Sequence, residues 1–588
     1  MFLIVSKLIS AKYRKQVILI FILSILLAIS EILGIASIGP FMALVSTPET
    51  IYENKYINMA YIYFNFNTPQ DFLIITGFSV MIFLLIMNIF TAFMTWFHGR
   101  FSSQLGHYLS ILLLTKYLNQ PYSFFLDRNT AELSKNILSE THRVVGGFIA
   151  PAIEIISKLI VSLLIISMLI IIDPLIALLC ITGVSVTYIL IYFFFRVILN
   201  EIGEKSTNTI SKRYKVSNEA ISAIKELKLY GKERVFIDRF QNVSELEAGY
   251  SIKSNLISFL PRHILESIIF SGIILTIILM IDAGEKGPDI IPLLSVYAFA
   301  GYRLMPMFQH IYRAATHMKY NFPAFKILLE DFEDFENLND NQIMPIQKVS
   351  LNSYLELKSV FFNYPNTSKP SLEKINIRIN HPSKIGIVGK TGSGKTTLVD
   401  IILGLFDPTS GDLIVDGEKI NSENIHSWQQ NLGYVPQDIY LVDDTIERNI
   451  AFAALNNDID FEKVKKAAKL AGIDEFINSL PAKYSTSVGE KGVRLSGGQL
   501  QRIGIARALY FDPALIVFDE STSALDGETE RAIMDAINTL SSKKTIIIIA
   551  HRLSTLVDSD AIYEMKNGNI VATKTYQELL SEVNESKK

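Results

Sequence analysis

The sequence predicts a polytopic α-helical membrane domain followed by a soluble α/β domain. Three observations carry this. Six long apolar stretches lie within the first 325 residues. Beyond about residue 350 the composition becomes that of an ordinary soluble domain. Near residue 390 an apolar strand, a glycine-rich loop and a helical pattern follow one another directly. At 588 residues the chain is too long for one domain of usual size. Its 49% hydrophobic content excludes intrinsic disorder. A single cysteine, Cys180, excludes a disulfide scaffold. A net charge of −3 gives no support for a nucleic-acid partner, and none is expected.

A helix crosses the bilayer core with roughly 20 apolar residues. The stretches 17–45, 72–97, 148–172, 175–198, 256–281 and 290–312 qualify, the third and fourth separated only by Asp173-Pro174. Lys and Arg are concentrated on cytoplasmic flanks. Lys7, Lys12, Arg14 and Lys15 precede the first span, so the N-terminus is expected in the cytoplasm. The loops 46–71 and 282–289 carry only Lys55 and Lys286 and read as external. The basic segments 98–147 and 199–255 read as spans continued into the cytoplasm as long helices. They are expected to turn near Asn119–Phe125 and Leu229–Phe236. An even number of spans returns the C-terminus to the cytoplasm. The first apolar run is too long for a cleavable signal peptide. Residues 1–325 are thus read as the membrane domain, 326–350 as a polar linker, and 351–583 as the second domain.

In that domain Lys384–Val388 reads as a buried strand entering Gly389-Lys390-Thr391-Gly392-Ser393-Gly394-Lys395-Thr396-Thr397, then a helix. This is the phosphate-binding loop pattern in the strand–loop–helix setting it requires. Glycines let backbone N–H groups wrap phosphate oxygens at a helix N-terminus. Lys395 supplies charge to the β- and γ-phosphates, and the Thr396 hydroxyl suits Mg²⁺. Ala514–Phe518 reads as a second buried strand ending in Asp519, where a carboxylate binds Mg²⁺. Glu520 follows, placed to polarise the attacking water as general base. Leu495-Ser496-Gly497-Gly498-Gln499 is a second turn at a helix start, suited to the nucleotide of a partner.

With these motifs in this order, the chain resembles the ABC transporters over essentially its whole length. The resemblance implies the type I exporter fold, with ATP and Mg²⁺ as cofactors. It also assigns roles. Tyr364 stacks on adenine, and Gln437 reaches Mg²⁺ and the attacking water. Ser523-Ala-Leu-Asp526 matches the D-loop, and His551 is the switch histidine at the γ-phosphate. One nucleotide domain per chain implies a homodimer, each ATP held between Lys395 of one copy and Ser496 of the other. The two cytoplasmic tips become coupling helices.

The membrane half is most similar to the PglK-type flippases of lipid-linked oligosaccharides. Pro261-Arg-His-Ile-Leu-Glu266, Tyr302-Arg-Leu-Met-Pro306 and Ala28–Ala36 carry this. The implied activity is ATP-driven transfer of a polyprenyl-pyrophosphate glycan across the inner membrane. Arg262, Arg303 and Arg100 are candidates to line its path, since arginine suits pyrophosphate and intramembrane arginine faces cavities. Pairing with Glu266, Glu31 or Glu154 is the equal alternative. Export of drugs, peptides or a lipid A-like lipid stays open.

Overall fold

The computed structural model describes residues 11–46, 48–172, 174–282, 287–336, 348–365, 367, 369–452, 454, 458–519, 538, 541–550 and 552–586. They form two compact units. One holds the helices up to Gln120 and from Asp127 onward; the other joins Pro121–Leu126 to the chain after residue 338.

The first unit is built on six long helices: α1 (Ala11–Ser46), α2 (Pro69–Leu118), α3 (Ala150–Ile172), α4 (Pro174–Ser222), α5 (Glu233–Asp282) and α6 (Gly287–Glu336). Thr68 starts α2 by accepting a hydrogen bond from the Asp71 N–H, with Pro69 at the first helical position. Among the described residues, four helices are long and apolar enough to cross a membrane: Ala11–Ser46, Pro69–Leu118, Thr130–Ile172 and Ser185–Ser222. The expected spans 256–281 and 290–312 fall in α5 and α6, where several side chains lie outside the described residues. Helices of 50 residues such as α2 reach about 75 Å at 1.5 Å per residue, far beyond the bilayer core of about 30 Å. Ala28, Ile35, Val161, Ile165, Ala300 and Leu304 pack α1, α3 and α6 together. Large apolar side chains also face outward: Ile171 is 83% exposed and Phe194 72%. Lipid, not water, suits such a surface.

The first tip is a short helix, Tyr122–Leu126, close to the expected position. The second turns where expected, within 229–236. Its short helix is Ile224–Tyr230, and the chain breaks at Gly231 in the left-handed region; 233–236 already belong to α5. A correction concerns the linker. Residues 326–336 are the end of α6, because Leu328, Asp331 and Phe332 are buried there. The remainder of that acidic stretch, 337–347, lies outside the described residues.

The second unit contains two sheets. A four-stranded antiparallel sheet has the order β2-β1-β4-β5, from β1 (Tyr354–Phe362), β2 (Leu372–Asn380), β4 (Ser410–Val415) and β5 (Glu418–Lys419). The six-stranded sheet runs β10-β9-β3-β8-β7-β6. Its strands are β3 (Lys384–Gly389), β6 (Leu432–Val435), β7 (Leu515–Asp519), β8 (Thr545–Ile549), β9 (Ala561–Lys566) and β10 (Asn569–Lys574). β6, β7, β8, β3 and β9 are parallel, and β7 and β8 are buried throughout, as continuous apolar runs in such sheets require.

Candidate functional site

Parallel strands place their carboxyl ends along one edge, where α/β proteins bind ligands. Here Ile387 of β3 pairs with Ile549 of β8, and Ile549 pairs with Asp519 of β7. The glycine-rich loop after β3, Asp519 at the end of β7, and Gln437 just after β6 therefore open at the same edge.

The loop has the backbone its glycines permit. Gly389 (φ 156°) and Gly394 (φ 102°) lie in the left-handed region. A Cβ on Gly389 would lie 2.4 Å from the Met565 carbonyl oxygen and 2.6 Å from Ser393 Oγ; one on Gly394 would lie 2.8 Å from the Ser371 oxygen. Lys390, Thr391 and Gly392 are exposed. Helix α7 (Lys395–Ile402) starts directly after, carrying Lys395 and Thr397 buried and Thr396 exposed. Lys395 Nζ donates to the carbonyls of Gly389 (2.9 Å) and Lys390 (3.2 Å), so its charge is held inside the loop. Ser393 Oγ is buried and finds no hydrogen-bond partner among the described residues. A cradle of N–H groups, a buried ammonium and an unsatisfied hydroxyl fit phosphate oxygens.

Asp519 is buried. The Asp400 carboxyl of α7 is pushed up to about 6, by burial and by the Asp519 charge beside it. Asp519, the Thr396 hydroxyl and the Gln437 side chain are hard oxygen donors of the kind Mg²⁺ takes, so the residues fit the metal. Tyr364 is half-buried; its hydroxyl lies 3.1 Å from Thr397 Oγ1 and its ring meets Phe406 edge-on at 5.6 Å. Phe406 in turn packs against Tyr122 of the first tip, centroids 5.6 Å apart. An aromatic row thus joins that tip to the predicted base-stacking tyrosine.

Ser496 and Gln499 form a reciprocal cap on α8 (Gly497–Leu509). Ser496 Oγ accepts from the Gln499 N–H (3.3 Å), and Gln499 Oε1 accepts from the Ser496 N–H (2.9 Å). Ser496 and Gly497 are exposed and Gly498 half-exposed, so the turn faces outward. Glu520, Ser523–Asp526 and His551 lie outside the described residues.

Sequence reasoning passed over Asp400 and Tyr434. An acid inside the apolar run Leu398–Leu403 was the available signal for the first. Tyr434 donates from its hydroxyl to Asp519 Oδ2 at 3.3 Å, and burial raises its phenol well above the usual value.

In the membrane unit the three arginines are separate. Arg303 Nε lies 3.8 Å from the buried Glu31 carboxylate, and its Nη2 donates to Asn88 Oδ1 at 3.4 Å. Arg262 is bonded to Glu266 one turn away (2.8 Å). Arg100 is exposed over the Trp96 ring (5.4 Å).

Comparison with known proteins agrees with this architecture. Residues 17–312 match the ABC transporter transmembrane region and 372–523 the ABC transporter family. The chain is 30% identical to an ATP-dependent lipid A-core flippase of Saccharophagus degradans, covering 78% of this chain and 77% of that one. It is also 30% identical to the heterocyst differentiation ATP-binding protein HepA of a Nostoc species, over 78% and 74%. The structure of a bacterial Atm1-family ABC exporter with ATP bound superposes with a TM-score of 0.77 over 98% of this chain and 97% of that one. At 24% identity that likeness bears on the fold. The chain is a multi-pass membrane protein of the ABC transporter family, an exporter-type half-transporter whose nucleotide domain hydrolyses ATP to drive transport.

Proposed function

We propose that this protein flips a lipid-linked oligosaccharide, a polyprenyl-pyrophosphate glycan, across the inner membrane, acting as a homodimer with both termini in the cytoplasm. The observation that carries the cargo reading is Arg303. Its guanidinium is held among α1, α2 and α6 beside Glu31 and Asn88, with a side chain only 15% exposed. Such an arginine is suited to a pyrophosphate that reaches it along the bundle. Arg262 and Arg100 contribute positive charge nearer the exposed helix faces. The homodimer reading is supported by the outward Ser496 turn and by the second tip, where Leu229 (75% exposed) and Tyr230 (68%) lie uncovered in one chain.

In this reading the same residues run the ATP cycle. Tyr364 stacks on the base. Gly389, Lys390, Thr391, Gly392, Ser393 and Gly394 wrap the phosphates, Lys395 neutralises them, and Thr397 anchors Tyr364. Thr396, Asp519 and Gln437 would hold Mg²⁺, which would offset phosphate charge when bound. Glu520 orients and deprotonates the attacking water, and His551 contacts the γ-phosphate. Ser496, Gly497, Gly498 and Gln499 of the second copy cap the same γ-phosphate, so bound ATP draws the two domains together. In-line transfer needs little from the protein beyond this positioning and electrostatic stabilisation. The first tip carries the motion from Phe406 and Tyr122 into α2.

The second reading is a lipid A-like cargo, favoured by the name of the Saccharophagus relative. ATPase stimulation separates the two. A short-chain polyprenyl-pyrophosphate saccharide should raise hydrolysis several-fold, while lipid A and a saccharide lacking pyrophosphate should not. Stimulation by lipid A alone would overturn the oligosaccharide reading.

A further inference from the structure

Tyr434 and Asp519 meet across two neighbouring strands. In the parallel pair β6·β7, Tyr434 sits opposite Val517, and side chains two residues apart share a face. Tyr434 therefore projects from the same face as Asp519, toward α7 and Asp400. Its phenolic hydroxyl donates to Asp519 Oδ2 at 3.3 Å. Asp519 and Asp400 are both buried there, so the pocket holds two acids and a neutral phenol. Tyr434 is half-buried, and its ring packs against the apolar core beneath the phosphate loop.

We propose that Tyr434 is a positioning residue: its hydroxyl fixes the plane of the Asp519 carboxylate for metal binding. The inference rests on the reading of Asp519 as a metal ligand. A carboxylate at a strand end turns about two side-chain torsions. A donor on one oxygen fixes where the other points. It also partly offsets the repulsion between Asp519 and Asp400. The ring alone cannot do this, since only the hydroxyl reaches the carboxylate. Groups hydrogen-bonded to a metal ligand typically change metal affinity by about 10–100-fold when removed.

The test uses full-length protein in lipid nanodiscs. Mn²⁺ is titrated by electron paramagnetic resonance in the presence of a non-hydrolysable ATP analogue. Tyr434→Phe keeps the ring and loses the donor. It should bind Mn²⁺ about tenfold or more weakly, with metal-free nucleotide affinity unchanged. In turnover it should need more Mg²⁺ for half-maximal rate, with kcat recovered at saturating Mg²⁺. Asp519→Asn serves as the reference. If Asp519→Asn weakens Mn²⁺ binding and Tyr434→Phe does not, the positioning role is wrong. If Asp519→Asn leaves Mn²⁺ affinity intact, the assignment of Asp519 itself falls. A Tyr434→Phe protein with lower kcat and an unchanged Mg²⁺ requirement also overturns the proposal, because that is how a purely structural tyrosine behaves.

Discussion

Buried polar side chains are distributed differently in the two units. In the membrane unit they are scattered as separate ties between helices. Glu140 lies between Lys135 (3.8 Å) and Arg143 (3.6 Å). Asp331 of α6 accepts from Tyr117 (2.6 Å), Arg128 (2.8 Å) and Asn136 (3.1 Å). In the nucleotide-binding unit some, such as Lys384 and Asn449, are also paired singly, but Ser393, Lys395, Asp400 and Asp519 gather at one end of one sheet. Away from water a lone charge is expensive, so scattered groups must pair locally. Groups that converge in one place serve a ligand. Removing a scattered group should therefore lower stability, and removing a converging one should lower activity.

The largest expected effect sharpens the second half of that contrast. Lys395→Ala should lower ATP hydrolysis at least about 100-fold with little change in melting temperature; a large fall in melting temperature would blur the distinction. Asp331→Asn probes the first half. It leaves the cluster of Tyr117, Arg128 and Asn136 without its charge and should cost about 3 kcal/mol, read as a lower melting temperature in nanodiscs. Hydrolysis per folded molecule should be unchanged.

Tyr122→Ala lies between the two classes. It removes a ring contact of about 1 kcal/mol, so cargo moved per ATP should fall about fivefold while hydrolysis persists. The smallest effect concerns Asp416, at the β4–β5 turn. Its carboxylate accepts from the N–H groups of Asn352 (2.7 Å), Ser353 (2.9 Å) and Tyr354 (2.8 Å). Burial pushes this carboxyl up, but the backbone N–H groups outweigh it and hold it below the usual value. That contribution is present above the unfolded carboxylate value of about 4 and fades as pH falls through the lower folded value. Asp416→Asn should lose about 1 kcal/mol at pH 7 and show a flatter acid-unfolding curve below pH 4.

What could be read from the sequence follows from the same contrast. The phosphate loop is a contiguous run whose glycines dictate its backbone, and β3 and β7 are continuous apolar strands. Local pattern suffices for both. The end of α6 was misread because Glu330–Glu336 looks solvated residue by residue. Asp331 is buried because Tyr117, 214 positions away, donates to it. Tyr434 was missed for a similar reason: its partner lies 85 positions away on another strand.

The most direct measurement of the account is translocation in proteoliposomes. Purified protein is given a short-chain polyprenyl-pyrophosphate saccharide, and its movement to the opposite leaflet is followed with and without ATP, beside Glu520→Gln. The account predicts ATP-dependent movement by the wild type, and a variant that binds ATP and stays in a closed dimer without turnover. Hydrolysis by the wild type without saccharide movement would contradict the flippase reading and leave the ABC motor with another cargo.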